Sequence, residues 1–271
     1  MNIVITREQL EEYVPSMVVS SDDIFNELSD FFVRAEERLE RITGVNLISV
    51  PDELLVKRCS RYICLRAVYE YIPQRDLVIT PNGFGVVSDA NIAPASKERV
   101  ENLRHRLAIE EFISLGVILG HLISLHDSTW QQSNVAMAAT SHLIFNSDQL
   151  AIYCGMDEST EVDFRSVLPD IREAENVIIG EIGFCQFQAL LDAARCDNGT
   201  VNQRSVIRQL RTAIGLKLKG RPMPSFMAVI RQALNMMGDT PTDFAPYFDS
   251  PEYRAKSVNY ENHKEDSCYF F

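Results

Sequence analysis

The chain has 271 residues, 38 acidic against 26 basic side chains, a formal net charge of −12 and 46% hydrophobic residues. That length suits one large core or two modest ones, at ~100–150 residues per domain, and the mixture is that of an ordinary globular chain. The acidic balance argues against tight nucleic-acid binding, which relies on Lys and Arg neutralising phosphate.

The N-terminal stretch MNIVITREQLEEY has no basic region followed by an apolar run, so no signal peptide is expected. Thr6 followed by Gln9 reads as a capping box for a short helix over about 7–14. Ser20-Ser21-Asp22-Asp23 then supplies a cap and an acidic first turn for a long helix over about 22–43. Its apolar stripe is Ile24, Phe25, Leu28, Phe31, Phe32, Ala35, Leu39 and Ile42, and Gly44 ends it. Pro51 opens a third helix that runs to Ile72, and Pro73 closes it.

Residues 76–95 break the helical pattern. Two β-prone runs, 77–80 and 86–88, flank Pro81-Asn82-Gly83-Phe84-Gly85, which predicts a β-hairpin loop near 77–90 with a glycine-rich tip. Two readings stand for that tip. Either Asn82, Gly83, Phe84 and Gly85 form a contact surface, since an aromatic between two glycines has little other reason to be there, or the loop is a plain connector.

Ser96 caps a helix over 97–125 that begins charged and ends apolar. Its most apolar run, residues 112–125, carries His121 and is shorter than the ~20 residues of a membrane crossing, so a buried core helix and no membrane are expected. Residues 126–142 are polar and small, which places a joint there, pinned by the lone tryptophan, Trp130.

A second module follows. Asn146 and Gln149 open a short helix over 147–153, and a longer helix spans about 164–182, which Pro169 should start late or kink. Further helices are predicted at 184–195, 203–218 and 226–237. From residue 239 the chain is Pro-rich, acidic and aromatic, which predicts an extended tail over 241–271. Its Tyr247, Phe248, Tyr253, Tyr260, Tyr269, Phe270 and Phe271 read as anchors on another surface, with disorder as the alternative.

The second half also restates the first in pattern. Gln9, Leu10 and Tyr13 recur as Gln149, Leu150 and Tyr153. After a one-residue deletion, Phe25, Leu28, Phe32, Ala35, Glu36, Leu39 and Gly44 align with Phe164, Val167, Ile171, Ala174, Glu175, Ile178 and Gly183. Steps of three and four mark one buried helix face, and each series ends at a glycine. The expected fold is all-α: two tandem helical-bundle modules, 1–125 and 143–240, with the joint between them and the tail after them.

No catalytic constellation is present: no GxSxG, Walker loop, GxGxxG opening a helix, or HExxH. The six cysteines show no zinc spacing; most lie on apolar helical faces and read as reduced thiols, and the five histidines are scattered. No enzyme activity, cofactor or metal is expected.

The pattern Leu10-Glu11-Glu12-Tyr13, Ser21-Asp22-Asp23, Ala35-Glu36, Ile42-Thr43-Gly44, Pro51 and Arg58 to Tyr71 resembles the head–tail connector (adaptor) proteins of tailed bacteriophages. The stretch from Thr80 to Ser96 is similar to uncharacterised proteins of Bacteroidetes phages and prophages. The resemblance covers roughly residues 5–125, and this chain is about twice the usual adaptor length. It implies a structural virion protein of the neck region, made in the host cytoplasm, that binds portal and tail or stopper proteins. It further implies a ring, usually of twelve subunits, that prolongs the DNA channel without binding DNA specifically. The Phe84 loop and Tyr260, Tyr269, Phe270 and Phe271 would be its contacts. The alternative is a soluble helical scaffold or regulator that binds another protein through Phe112–Leu125.

Overall fold

The computed structural model describes residues 3–16, 22–75, 78–80, 83–85 and 96–257, which are mostly helical. The chain divides into two compact units, Met1–Pro169 with Arg195–Asp197, and Asp170–Ala194 with Asn198–Phe271.

The first unit is organised around α4 (Glu53–Arg75), against which α1 (Arg7–Tyr13), α3 (Ser29–Thr43) and α5 (Lys97–Ser124) pack. The capping box on α1 forms: the Thr6 hydroxyl accepts from the Gln9 amide at 3.3 Å and the Gln9 side chain accepts from the Thr6 amide at 3.0 Å. The helix expected over 22–43 is broken into α2 (Asp22–Glu27) and α3. At the break the Ser29 hydroxyl donates to the Asn26 carbonyl at 2.6 Å, a local bond that competes with the helical ladder and bends it. Leu28, at the break, is nonetheless fully buried with Ala35 and Leu39. Gly44 ends α3 with φ 66°, a left-handed conformation that costs glycine nothing.

Asp52, rather than Pro51, starts α4. Its Oδ1 accepts from the Leu55 amide at 2.6 Å, while its Oδ2 lies 2.9 Å from His121 Nε2 on α5. Pro73 does not close the helix. It stands inside the last turn, where a proline forfeits one backbone bond and the helix runs on to Arg75. Val78–Thr80 pairs antiparallel with Gly83–Gly85, in the register Val78 to Gly85, Ile79 to Phe84 and Thr80 to Gly83.

Ser96 caps α5 as expected, and the apolar end of that helix is core: Phe112, Leu115, Ile118, Leu119 and Leu122 are all buried. By length and composition α5 is apolar enough to cross a membrane, and more than half of its most apolar window is covered by protein.

Residues 126–142 belong to the first unit instead of standing as a joint. Asp127 caps α6 (Ser128–Gln131) and Ser133 caps α7 (Asn134–Ala139). Trp130 is fully buried there and its indole reaches back to the end of α3. The cap at Asn146 accepts from the Gln149 amide at 2.9 Å, but the Gln149 side chain takes the amide of Phe145, so the box is displaced by one residue. From α8 (Ser147–Gln149) the chain continues as a wide turn over Leu150–Cys154.

Helix α9 (Glu161–Ile182) starts three residues earlier than expected and runs through Pro169. A reciprocal cap explains the early start: the Asp163 amide donates to the Thr160 hydroxyl at 3.2 Å, and Asp163 Oδ2 accepts from the Thr160 amide at 2.8 Å. The division at residue 169 falls within this helix, so the second copy of the sequence pattern is shared between units. Ala174 and Ile178 are buried like their counterparts Ala35 and Leu39 on α3, whereas Ile171 is buried and its counterpart Phe32 is only half-buried; Gly183 has φ 83°. The leading aromatics differ: Phe25 meets Phe32, with centroids 5.7 Å apart, whereas Phe164 stacks on Phe112 of α5 at 5.8 Å.

The second unit contains α10 (Phe184–Cys196) up to Ala194, then α11 (Val201–Leu218) and α12 (Met223–Asp239) packed on each other. Its core includes Leu190, Leu210, Ile214, Phe226, Ile230 and Phe244. The chain after residue 239 is folded as far as it is described, contrary to the expected tail. A turn over Pro241–Phe244 leads to α13 (Ala245–Phe248) and α14 (Pro251–Ser257). Asp243 accepts from Asn202 at 2.7 Å, and the Tyr247 amide donates to Gln186 Oε1 at 3.2 Å. Tyr247, Phe248 and Tyr253 turn toward one another with centroids 4.8 to 5.2 Å apart. These aromatics satisfy each other, which apolar periodicity alone did not reveal.

Candidate functional site

The first unit carries a buried ionic cluster where α3, α4, α5 and the start of α9 converge. Glu111, on the inner face of α5, is 7% exposed. Nη1 of Arg66 on α4 is shared between both of its oxygens, at 3.3 and 3.2 Å. Tyr62 Oη donates to Glu111 Oε1 at 3.1 Å, and Arg38 Nε of α3 lies 3.9 Å from the same oxygen. Arg38 also donates to Glu161 at the start of α9, and Arg66 donates to Glu70 one turn further along α4. Burial pushes the Glu111 carboxyl up, against the pull of Arg66 and Arg38, and raises the Tyr62 phenol as well. Burial works against both arginines, yet both are raised, Arg38 by Tyr62 and Glu161 and Arg66 by Glu111 and Glu70.

Beside this cluster the Tyr69 ring receives two guanidiniums, Arg104 at 5.0 Å and Arg66 at 5.3 Å from its centroid. Tyr69, Arg104, His105, Glu111 and Asp163 border a cavity of ≈390 Å³. Glu111, Arg66, Arg38 and Glu161 engage one another and strap α3, α4, α5 and α9 together, while Arg38 Nε and Arg104 Nε are buried without a hydrogen-bond partner.

A second feature faces outward. A groove of ≈590 Å³ runs between α1, α4 and α5, with Tyr13, Leu54, Ile113 and Val117 among its apolar lining. Leu54 is 51% exposed, and Ile113 and Val117 are each 37% exposed. Lys57, Arg58, Arg61 and Arg106 stand around it against Glu12 and Glu110, an excess of positive charge on an otherwise acidic protein. Arg61 and Arg106 both reach Glu110, at 3.4 and 3.3 Å, and Lys57 reaches Glu12 at 3.6 Å.

Sequence reasoning missed this groove. The available signal was the pair Ile113 and Val117, one turn apart and off the face taken by Phe112, Leu115, Leu119 and Leu122. The wholly apolar run obscured it, because every face looked like core. Phe112 and its same-face neighbours are not a free binding surface, as they are buried within the unit.

Of the residues singled out from the sequence, Gly83, Phe84 and Gly85 form the second strand and not the tip of a turn. Pairing begins three residues closer to the turn than β-propensity placed it, since Gly83 and Gly85 themselves carry the ladder. Asn82, Tyr260, Tyr269, Phe270 and Phe271 lie outside the described residues. Among the described residues no three His, Cys, Asp or Glu side chains gather where they would hold a metal ion. Cys59 and Cys64 are buried free thiols, Cys154 is buried, and Cys185 is exposed.

A family model described as a family of unknown function, DUF6712, matches residues 20–139, which is less than half of the chain. No curated protein and no solved structure matches it.

Proposed function

We propose that this chain is a non-enzymatic virion component, a head–tail adaptor that assembles into a ring between portal and tail. The observation that carries this reading is the order of the first unit: a short capped helix, an amphipathic helix stopped by Gly44, the long helix α4, and α5 returning against it. That order accompanies the resemblance of residues 5–125 to phage adaptors. The net charge of −12 suits a channel wall past which phosphate must move without adhering.

Descent of the chain from a duplicated module is part of the same proposal. It is supported by the buried pairs Leu10 and Leu150, Ala35 and Ala174, and Leu39 and Ile178, and by the left-handed glycines Gly44 and Gly183.

The test is negative-stain electron microscopy of the purified protein, alone and mixed with a purified phage portal protein. Closed rings that co-sediment with portal are the expected result. A species that stays single-copy at every concentration and ignores portal overturns the reading.

A further inference from the structure

The groove between α1, α4 and α5 is a sizeable, partly apolar surface for which the sequence itself supplies a fitting occupant. Its lining leaves Leu54, Ile113 and Val117 in water, where three neighbouring aliphatic side chains are costly unless something covers them. Its border is basic in a strongly acidic protein, so a partner needs acidic residues beside apolar ones. Residues 258–271, VNYENHKEDSCYFF, have that composition: Glu261, Glu265 and Asp266 against Lys264, interleaved with Tyr260, Tyr269, Phe270 and Phe271. An aromatic side chain buries about 150–250 Å², so a groove of ≈590 Å³ has room for a short aromatic segment and not for a folded domain.

We infer that the groove receives residues 258–271 of a second copy of this chain, the aromatics lying over Leu54, Ile113 and Val117 and the carboxylates meeting Arg61 and Arg106. The acidic segment competes with Glu110 for those two arginines, which makes the contact salt-sensitive. This rests on the ring reading for its closure into a circle, but the pairwise contact stands or falls separately. In a head-to-tail arrangement each subunit offers one groove and one segment, the heterologous pattern that generates rings.

The experiment uses two full-length populations. One carries Leu54→Cys with Cys268→Ser, and the other is wild type and keeps its native Cys268. After mixing under mild oxidation, peptide mass spectrometry looks for a disulfide between position 54 and Cys268, which only two different copies can form. The link is expected, and Arg61→Glu with Arg106→Glu in the first population should lower its yield by roughly tenfold. Glu265→Lys with Asp266→Lys in the second should then restore it. Absence of the link with both populations folded by circular dichroism, or a yield indifferent to both charge reversals, overturns the proposal. Rings without the link remove this contact and leave the ring reading intact. The link without rings does the reverse.

Discussion

The indole Nε1 of Trp130 donates to the backbone carbonyl of Thr43 at 2.6 Å, joining residues 87 apart in sequence. Thr43 is the last residue of α3, and its carbonyl is among those a helix end leaves without an intrahelical donor. Trp130→Phe should therefore cost about 1–3 kcal/mol, the penalty for stranding a buried acceptor. Trp130→Ala should cost about 3–5 kcal/mol, because a fully buried aromatic is lost as well. Urea denaturation followed by circular dichroism measures both. In the wild type this indole is the lone tryptophan, so its emission should shift to the red when the first unit opens.

Removing Glu111 should be more damaging than its single negative charge suggests. Glu111→Ala leaves Arg66 and Arg38 buried without their shared acceptor, and breaking such a cluster costs about 3–5 kcal/mol. Adding Arg66→Met to that variant should recover part of the loss, since the pair then leaves together. A double-mutant cycle on the unfolding free energy reads the coupling, and simple additivity would mean that the two side chains act independently.

The cap on α9 predicts a dependence on acid. Backbone and hydroxyl hydrogen bonds from Thr160 hold the Asp163 carboxyl below its ordinary range. A carboxyl lowered by folding stabilises the folded state at pH above its unfolded pKa, and that contribution fades as pH falls through the lowered folded value. Asp163→Asn should flatten the stability profile in that acidic window. Thr160→Ala should cost about 1 kcal/mol at neutral pH. Thermal melts across an acid pH series test both.

Thiol reactivity should separate cleanly. Burial pushes the Cys59 and Cys64 thiols up to about 12, so neither supplies thiolate at neutral pH, whereas Cys185 is exposed. Iodoacetamide on the native protein should modify Cys185 well before Cys59 and Cys64. Peptide mass spectrometry gives the order, and early labelling of Cys59 would contradict the packing of α4.

Truncations should divide at residue 257. Deleting 258–271 should leave the second unit folded, because Phe244 and Tyr247 stay in place, and should lower the melting temperature only at concentrations where copies associate. Deleting 241–271 removes both, together with the Asp243 bonds to Asn202 and Gln203, and should destabilise the second unit by several kcal/mol.

Helix existence and identity were legible in the sequence wherever a cap and a three-four stripe coincided. Thr6 with Gln9, Ser96, and the stripe through Ala35 and Leu39 to Gly44 all have the predicted form. What failed was chemistry that periodicity does not encode. A serine bonding back to Asn26 split one helix, and a Thr160–Asp163 cap started another early. Pro73, expected to close a helix, and Pro169, expected to delay or kink one, both sit inside their helices at exposed positions. Aromatic clustering after residue 244 depends on Gln186 and Asn202, more than forty residues away, so local composition read it as unfolded. The groove beside Arg61 was hidden for the opposite reason: Ile113 and Val117 lie in a run so apolar that no face stood out.

Asp52 holds the opening turn of α4 with one oxygen and His121 of α5 with the other. Unwinding the beginning of one helix and peeling away its neighbour are thus a single event. A partly opened molecule with α4 frayed and α5 still docked must forfeit both bonds at once, which sharpens unfolding into one concerted step at this corner. Substituting Asp52 would lower that cooperativity before it lowered the fold itself, and hydrogen exchange at Leu55 and Val56 would register it first.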